Sequence, residues 1–312
     1  MAINHTLIKS ATLLALLAAV ISGTNNFVTK IAVTAVGDPI FFTTLKNAIV
    51  ALGLIGVIIA WRKWPEIAAL SREQWIKLFA IGIIGGAAPF ALFFTGLTKT
   101  SALNAGLIHK TLFIWVMIFA IPILKERVTR LQWLGIGTIF AANLFVGGFA
   151  GFKYNAGELM ILGATILWAI ENIIAKTALK DIPSATVASA RMVIGSVILS
   201  GLVLWQGNGG LIMNLNAMQW GWTILTSLLL GGYVLAWYTA LKYAPATYVA
   251  ALLVPATLVT NALSAIFITR TMALPQLASS ALFILGTVLV IAAAAYATRT
   301  APSNELRPKT SA

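Results

Sequence analysis

"FTGLTKTSALNAGLI" (94–108) and "YTALKYAPATYVAAL" (238–252) carry one pattern twice: an apolar helix end, a lysine by a short turn, then a helix start rich in small residues. They lie 144 residues apart, and the same offset brings Gln132 onto Gln276. Working outward, "NFVTK" (26–30) meets "NIIAK" (172–176) at 146, and Lys46 in "TTLKNAIV" meets Arg191 in "ASARMVIG" at 145. A fixed period with a drift of only two residues marks an internal duplication across the chain.

Each copy is built for lipid. Of 312 residues, 60% are hydrophobic and 9% charged, against about 25% charged in an ordinary soluble domain. The mean hydropathy is +0.94. A spanning helix needs about 20 mainly apolar residues. Ten such runs are present, at about 11–35, 40–61, 75–97, 101–123, 130–149, 156–178, 184–205, 219–241, 245–268 and 273–297. Five spans per copy is an odd number, so the second copy enters the membrane upside down. The expected fold is an all-α membrane protein of ten transmembrane helices, arranged as two inverted five-helix repeats at 1–150 and 151–299, with a polar disordered tail at 300–312. Lys9 before "ATLLALLAAVIS" has the look of a signal peptide. Its partner in the second copy argues for a retained span instead.

The net charge of +13 comes from 21 Lys and Arg against 8 Asp and Glu. No basic patch with interleaved aromatics occurs, so nucleic acid is not an expected partner. Taking the connections alternately puts fourteen cations on one side and three on the other, and four remain inside spans. The positive-inside rule then places both termini in the cytoplasm, in a multi-pass protein of the cytoplasmic membrane.

These features resemble the drug/metabolite transporter superfamily, in particular its EamA-type ten-helix members. The stretches that carry the resemblance are "SGTNNFVTK" (22–30), "LKERVTRLQWLG" (124–135) and "ALKYAPATYVAALLVPA" (240–256). The resemblance implies a central cavity lined by spans 1 to 4 and 6 to 9, with spans 5 and 10 packed outside. It also implies small-molecule substrates such as amino acids, sugars, nucleotide derivatives or drugs. The chain departs from the family pattern at three places. Arg270 stands at the second-half position of Glu126, Ser279 at that of Gly135, and Ser22 where span 1 usually opens with the tryptophan that Trp168 keeps in span 6.

A charge at the centre of a spanning helix costs about 2.5 to 3.5 kcal/mol on insertion scales, so it should face a wet cavity or find a partner. Lys30 lies roughly 9 Å from the outer end of span 1 at 1.5 Å per residue, within snorkelling reach. Lys176 lies closer still to a span end. Lys46 and Arg191 are symmetry mates about seven residues into span 2 and span 7. They read either as anion-binding groups or as contacts holding helices together. In "NAGLIHKTLFIW" (104–115), adjacent His109 and Lys110 point about 100° apart, so one of them is expected to face the cavity. Lys110 pairs with Val254, so it is present in one copy only, as expected of a substrate contact. Glu171 is the sole carboxylate well inside a span: a proton-coupling group or half of an ion pair. Lys46, Lys110 and Arg191 against Glu171 leave the interior two charges positive, which suits a substrate bearing carboxylate or phosphate.

Asn26 and Asn172 lie one turn before Lys30 and Lys176, placed to hydrogen-bond a substrate or to bind helix to helix. Phe90, Phe93, Phe94 and Trp115 in the first half, and Trp168, Tyr233, Trp237 and Tyr238 in the second, are the aromatics on candidate inward faces. Tyr233 and Trp237, four apart, form the best cavity pair. Gly85, Gly86 and Pro89 in span 3, Gly231 and Gly232 in span 8, and Pro255 in span 9 are candidate hinges.

No cysteine, P-loop, HExxH or GxSxG sequence occurs, which argues against ATP-driven pumping, zinc chemistry and an enzyme; no cofactor or metal is expected. The expected function is secondary transport of a small organic metabolite, with lipid and substrate as partners and protons as a candidate coupling ion, by a monomer or homodimer. Export is favoured by the resemblance alone. Two alternatives are a proton-coupled multidrug exporter of cations centred on Glu171, and a membrane subunit or sensor that does not transport.

Overall fold

The computed structural model describes residues 5–144, 154–271 and 274–300. In chain order the helices are α1 (His5–Val36), α2 (Pro39–Ala60), α3 (Trp64–Ala68), α4 (Arg72–Gly86), α5 (Ala88–Leu97), α6 (Ala102–Lys110), α7 (Leu112–Leu124), α8 (Arg130–Leu144), α9 (Ala156–Ala178), α10 (Ser184–Trp205), α11 (Ala217–Tyr243), α12 (Ala246–Leu253), α13 (Ala256–Ser264) and α14 (Leu274–Thr300). A 3₁₀ turn occupies Asn208–Asn214, a π segment follows α13, and no strand occurs among the described residues. Helices suit lipid, because each satisfies its backbone groups within its own segment.

Nine segments among the described residues are long and apolar enough to cross a bilayer. They correspond to every expected span except the fifth, where α8 is described over 15 residues. The rest of that span, the expected junction at 150/151 and nearly all of the expected tail at 300–312 lie outside the described residues.

Local chemistry sets the helix starts. The Asp38 carboxylate accepts from the Phe41 N–H at 2.8 Å, with Pro39 opening α2. Ser71 with Gln74 and Asn216 with Gln219 form capping boxes at α4 and α11, and Asn155 caps α9.

The packing obeys the duplication. α1 lies against α11, α12 and α13, while its counterpart α9 lies against α4, α5, α6 and α7; α2 meets α10, and α8 meets α14. Exchanging the halves maps this set onto itself. The copies are inverted: the N-terminal part of α1 meets Tyr248 through Thr12, whereas it is the C-terminal part of α9 that meets the neighbouring Ala244 through Lys176.

Span 3 breaks at Ala87 (φ −124°, ψ −68°), between α4 and α5. The cause is Pro89, which has no N–H to give the carbonyl of Gly85 four residues earlier. Spans 4 and 9 break at symmetry-matched positions, Thr111 and Val254–Pro255, 144 residues apart. The candidate hinges therefore separate. Gly85, Gly86, Pro89 and Pro255 sit at breaks, whereas Gly231 and Gly232 lie inside the unbroken α11.

Across the break, α4 and α10 touch backbone to backbone. A Cβ on Gly86 would lie 2.4 Å from the Arg191 carbonyl oxygen, and one on Gly195 would lie 2.5 Å from the Gly86 carbonyl oxygen. Neither helix can give way locally, since both obstructing atoms are backbone. Gly195→Ala is expected to lower stability by about 1–3 kcal/mol through overpacking. Gly53→Ala, where a Cβ meets nothing within 4 Å, should be neutral or slightly stabilising. Thermal unfolding of the detergent-solubilised variants checks both, and equal melting temperatures would contradict the close contact.

Candidate functional site

The break in span 3 organises the interior. Its unpaired Gly85 carbonyl accepts from Trp168 Nε1 at 3.0 Å and from Arg191 Nη2 at 3.2 Å, which draws α9 and α10 to one point on α4. Gly85 also has to be glycine there. A Cβ would fall 2.3 Å from Glu171 Cγ and 3.2 Å from Arg191 Nε, so the missing side chain is the space that both occupy. Glu171 is 2% exposed, and its carboxylate accepts a short hydrogen bond from the Tyr238 hydroxyl, itself fully buried.

Around this cluster lies a cavity in two joined lobes. The larger, about 470 Å³, is lined from α1, α2, α5, α6, α7, α9, α10, α11 and α12 and includes Asn26, Lys46, Trp168, Glu171, Asn172, Arg191, Tyr233 and Trp237. The smaller, about 380 Å³, adds Lys110, Gly106 and residues of α12 and α13. Asn26, Phe93, His109 and Trp237 face both lobes. Lys110 is the last residue of α6, so the break at Thr111 turns it to the smaller lobe. The structure thus gives both members of the His109–Lys110 pair access to the cavity.

The cations differ in what they hold. The buried Lys46 has its Nζ 5.5 Å from the Phe42 ring centroid, and no acceptor meets it among the described residues. Lys110 likewise has no hydrogen-bond or ion-pair partner among them. Arg191 gives Nη2 to Gly85, while its buried Nε is unpartnered. Its guanidinium carbon lies 5.9 Å from the Phe90 ring centroid. His109 Nδ1 is also buried without a partner, and its ring packs edge-on against Trp168 (4.9 Å) and Phe93 (5.5 Å).

The two asparagines have diverged. Asn172 is spent on structure, its Nδ2 donating to the Trp168 carbonyl at 2.8 Å and its Oδ1 accepting from Trp237 Nε1 at 3.0 Å. It sets the Trp237 ring, which stacks on Tyr233 with centroids 6.1 Å apart. Asn26 is exposed to the cavity, and no side-chain partner meets it among the described residues. Two expected aromatics lie elsewhere: Tyr238 is committed to Glu171, and Trp115 faces a separate apolar pocket with Phe140 and Leu159.

Ser22, Asn25, Thr29 and Lys30 also line the larger lobe. Asn26 with Ser22, Thr29, Lys30 and Val33 follows the three-and-four spacing of one helix face, a signal present in the sequence. The lobe runs along this face to the exposed Lys30 and Thr34. The opposite end is closed. Lys176 Nζ donates to the carbonyls of Leu241 (2.6 Å), Lys242 (3.4 Å) and Ala244 (2.7 Å), and Glu126 accepts from the N–H groups of Ala246 and Thr247.

Replacing the two asparagines should separate their roles. Asn172→Ala leaves the Trp237 indole N–H without an acceptor and should cost about 1–3 kcal/mol of stability. Asn26→Ala should leave the melting temperature unchanged. Thermal unfolding of both variants decides this, and equal losses would reject the division.

The EamA-like transporter family model matches residues 9–148 and again 155–292. An uncharacterised transporter of Bacillus subtilis (strain 168), YyaM, is 31% identical over 156 residues, covering 48% of this chain and 51% of that protein. The inner membrane protein YtfF of Escherichia coli (strain K12) is 25% identical over 132 residues, 38% of this chain and 41% of YtfF. Each alignment with these curated relatives spans about half of the relative or less. A solved crystal structure superimposes with a TM-score of 0.74 over 93% of this chain and 98% of its own, at 16% identity, and so shares the fold. Matched once in each half, the chain belongs to the EamA-like transporter family, within the drug/metabolite transporter superfamily.

Proposed function

We propose that the chain is a secondary transporter moving a small organic metabolite that bears a carboxylate or phosphate, of the amino-acid or organic-acid class, across the cytoplasmic membrane by alternating access. The observation that carries this reading is the set of uncommitted cations in one cavity. Lys46 and Lys110 have no acceptor among the described residues, and Arg191 keeps a buried Nε unpartnered. A charged donor in a low-dielectric cavity is costly until an acceptor arrives, and a substrate anion is the acceptor the site lacks. Trp168, Tyr233, Trp237, His109 and Phe93 then hold the organic body, and Asn26 offers it a free amide.

Glu171 balances charge or couples a proton at the Gly85 cluster. Its bond to Tyr238 and its place beside Arg191 support a role within the protein rather than as a dock for a cationic drug. The two five-helix units at 1–150 and 151–299 act as the moving halves, with the site between them. Both termini lie in the cytoplasm by the distribution of cations, and the name of the relative YtfF supports the inner membrane. Export as the direction rests on the family resemblance alone.

A thermal-shift screen on detergent-solubilised protein tests the reading with amino acids, organic acids, phosphorylated metabolites and lipophilic cations. A carboxylate or phosphate compound should raise the melting temperature. Lys46→Ala and Lys110→Ala should each weaken that ligand by about 10- to 100-fold, the worth of a hydrogen bond to a charged group. Stabilisation by lipophilic cations alone, or unchanged anion affinity in both variants, would overturn the proposal.

A further inference from the structure

Lys30 and Lys176 occupy the same place in the two inverted copies, 146 residues apart, yet they are in opposite states. Lys176 is half-buried and its ammonium ties the end of α9 to three carbonyls at the end of α11, those of Leu241, Lys242 and Ala244. That knot lies at the closed end of the cavity. Lys30 is exposed at the other end, and its ammonium has no partner among the described residues.

The duplication says where Lys30 would bind if its end closed in the same way. At the offset of 144 that relates the two turns, Leu241, Lys242 and Ala244 fall on Leu97, Thr98 and Thr100. Leu97 ends α5, the counterpart of the end of α11, with Thr98 and Thr100 in the turn that follows, and Leu97 lines both lobes of the cavity. Their carbonyls accept no hydrogen bond among the described residues. The donor is free, the acceptors are free, and Lys30 and Leu97 line the same lobe.

We infer that Lys30 is the closing residue of the second conformation: its ammonium binds the carbonyls of Leu97, Thr98 and Thr100 when Lys176 releases those of Leu241, Lys242 and Ala244. Each lysine seals one end, and the inverted repeats trade conformations as the cavity changes sides. The acceptors are main-chain oxygens, so their side chains are free to differ between the copies, as Thr98 and Lys242 do. This inference rests on the alternating-access reading and adds to it the group that closes the open end.

The chain has no cysteine, so paired spin labels can be placed without background. One pair, at Thr34→Cys and Thr98→Cys, spans the open mouth; the other, at Lys180→Cys and Tyr243→Cys, spans the closed end. All four side chains are exposed. Distances are read by double electron–electron resonance in lipid nanodiscs. Lys176→Met should lengthen the 180–243 distance and create a short 34–98 population. Adding Lys30→Met should deplete that short population by about tenfold or more, as expected for loss of charged hydrogen bonds. Adding Lys30→Arg instead should retain it, since the guanidinium still donates.

A short 34–98 population that survives Lys30→Met, or one lost equally in Lys30→Arg, overturns the role of Lys30 while leaving alternating access intact. A different failure strikes the underlying reading: if the two distances never change together in any variant, the ends are not coupled, and alternating access falls along with the role of Lys30.

Discussion

One main-chain oxygen, that of Gly85, carries more of this architecture than any side chain does. Pro89 removes its helical donor, and the fold returns two donors from the other repeat, Trp168 Nε1 and Arg191 Nη2. A carbonyl in hydrocarbon without a donor costs several kcal/mol, so these bonds are a condition for bending span 3 at all. The bend in turn shapes the cavity wall, orients Trp168 and leaves beside Gly85 the gap filled by Glu171 and Arg191. Helix break, aromatic wall and buried charges are thus one device and not three.

The two halves share a plan but divide the work. In the second half the polar groups are engaged: Asn172 with Trp237 and the Trp168 carbonyl, Lys176 with three carbonyls. In the first half their counterparts Asn26 and Lys30 are free and face the cavity. Glu126 and Glu158 show the same division at the helix starts. Glu126 receives the first N–H groups of α12. Its sequence counterpart, Arg270, cannot accept a hydrogen bond. At the other end Glu158, from the first turn of α9, accepts from Asn104 Nδ2 at 2.6 Å near the start of α6. A carboxylate is thus retained at the start of each of these helices, supplied from a different place in the chain.

Much of this was legible in the amino-acid sequence, and the reasons for what was not are physical. The spans, the duplication and the buried cations stand out because lipid makes each of them costly to carry without cause. The break in span 3 was readable from Gly85, Gly86 and Pro89. Gly231 and Gly232 look like its echo, but no proline follows them, the hydrogen-bond ladder stays complete, and α11 runs on unbroken. The commitment of Asn172 to Trp237 joins residues 65 apart across two helices, and that of Lys176 to Ala244 spans 68. Such pairings follow from packing, and local spacing holds no trace of them. Tyr238 has a plausible inward position, but its burial against Glu171 depends on the gap at Gly85 on a third helix.

The Gly85 carbonyl also says something about how the chain is made. Its two donors lie 83 and 106 residues downstream, so a ribosome delivers the bend of span 3 to the membrane long before Trp168 and Arg191 exist. Through that interval the first repeat holds an unpaired carbonyl, and the gap beside Gly85 is empty of Glu171 and Arg191. The first repeat has its hydrogen bonding at Gly85 completed only when its inverted copy has entered the bilayer. Duplication has left two halves that look alike, yet the earlier one takes the donors for its broken helix from the later.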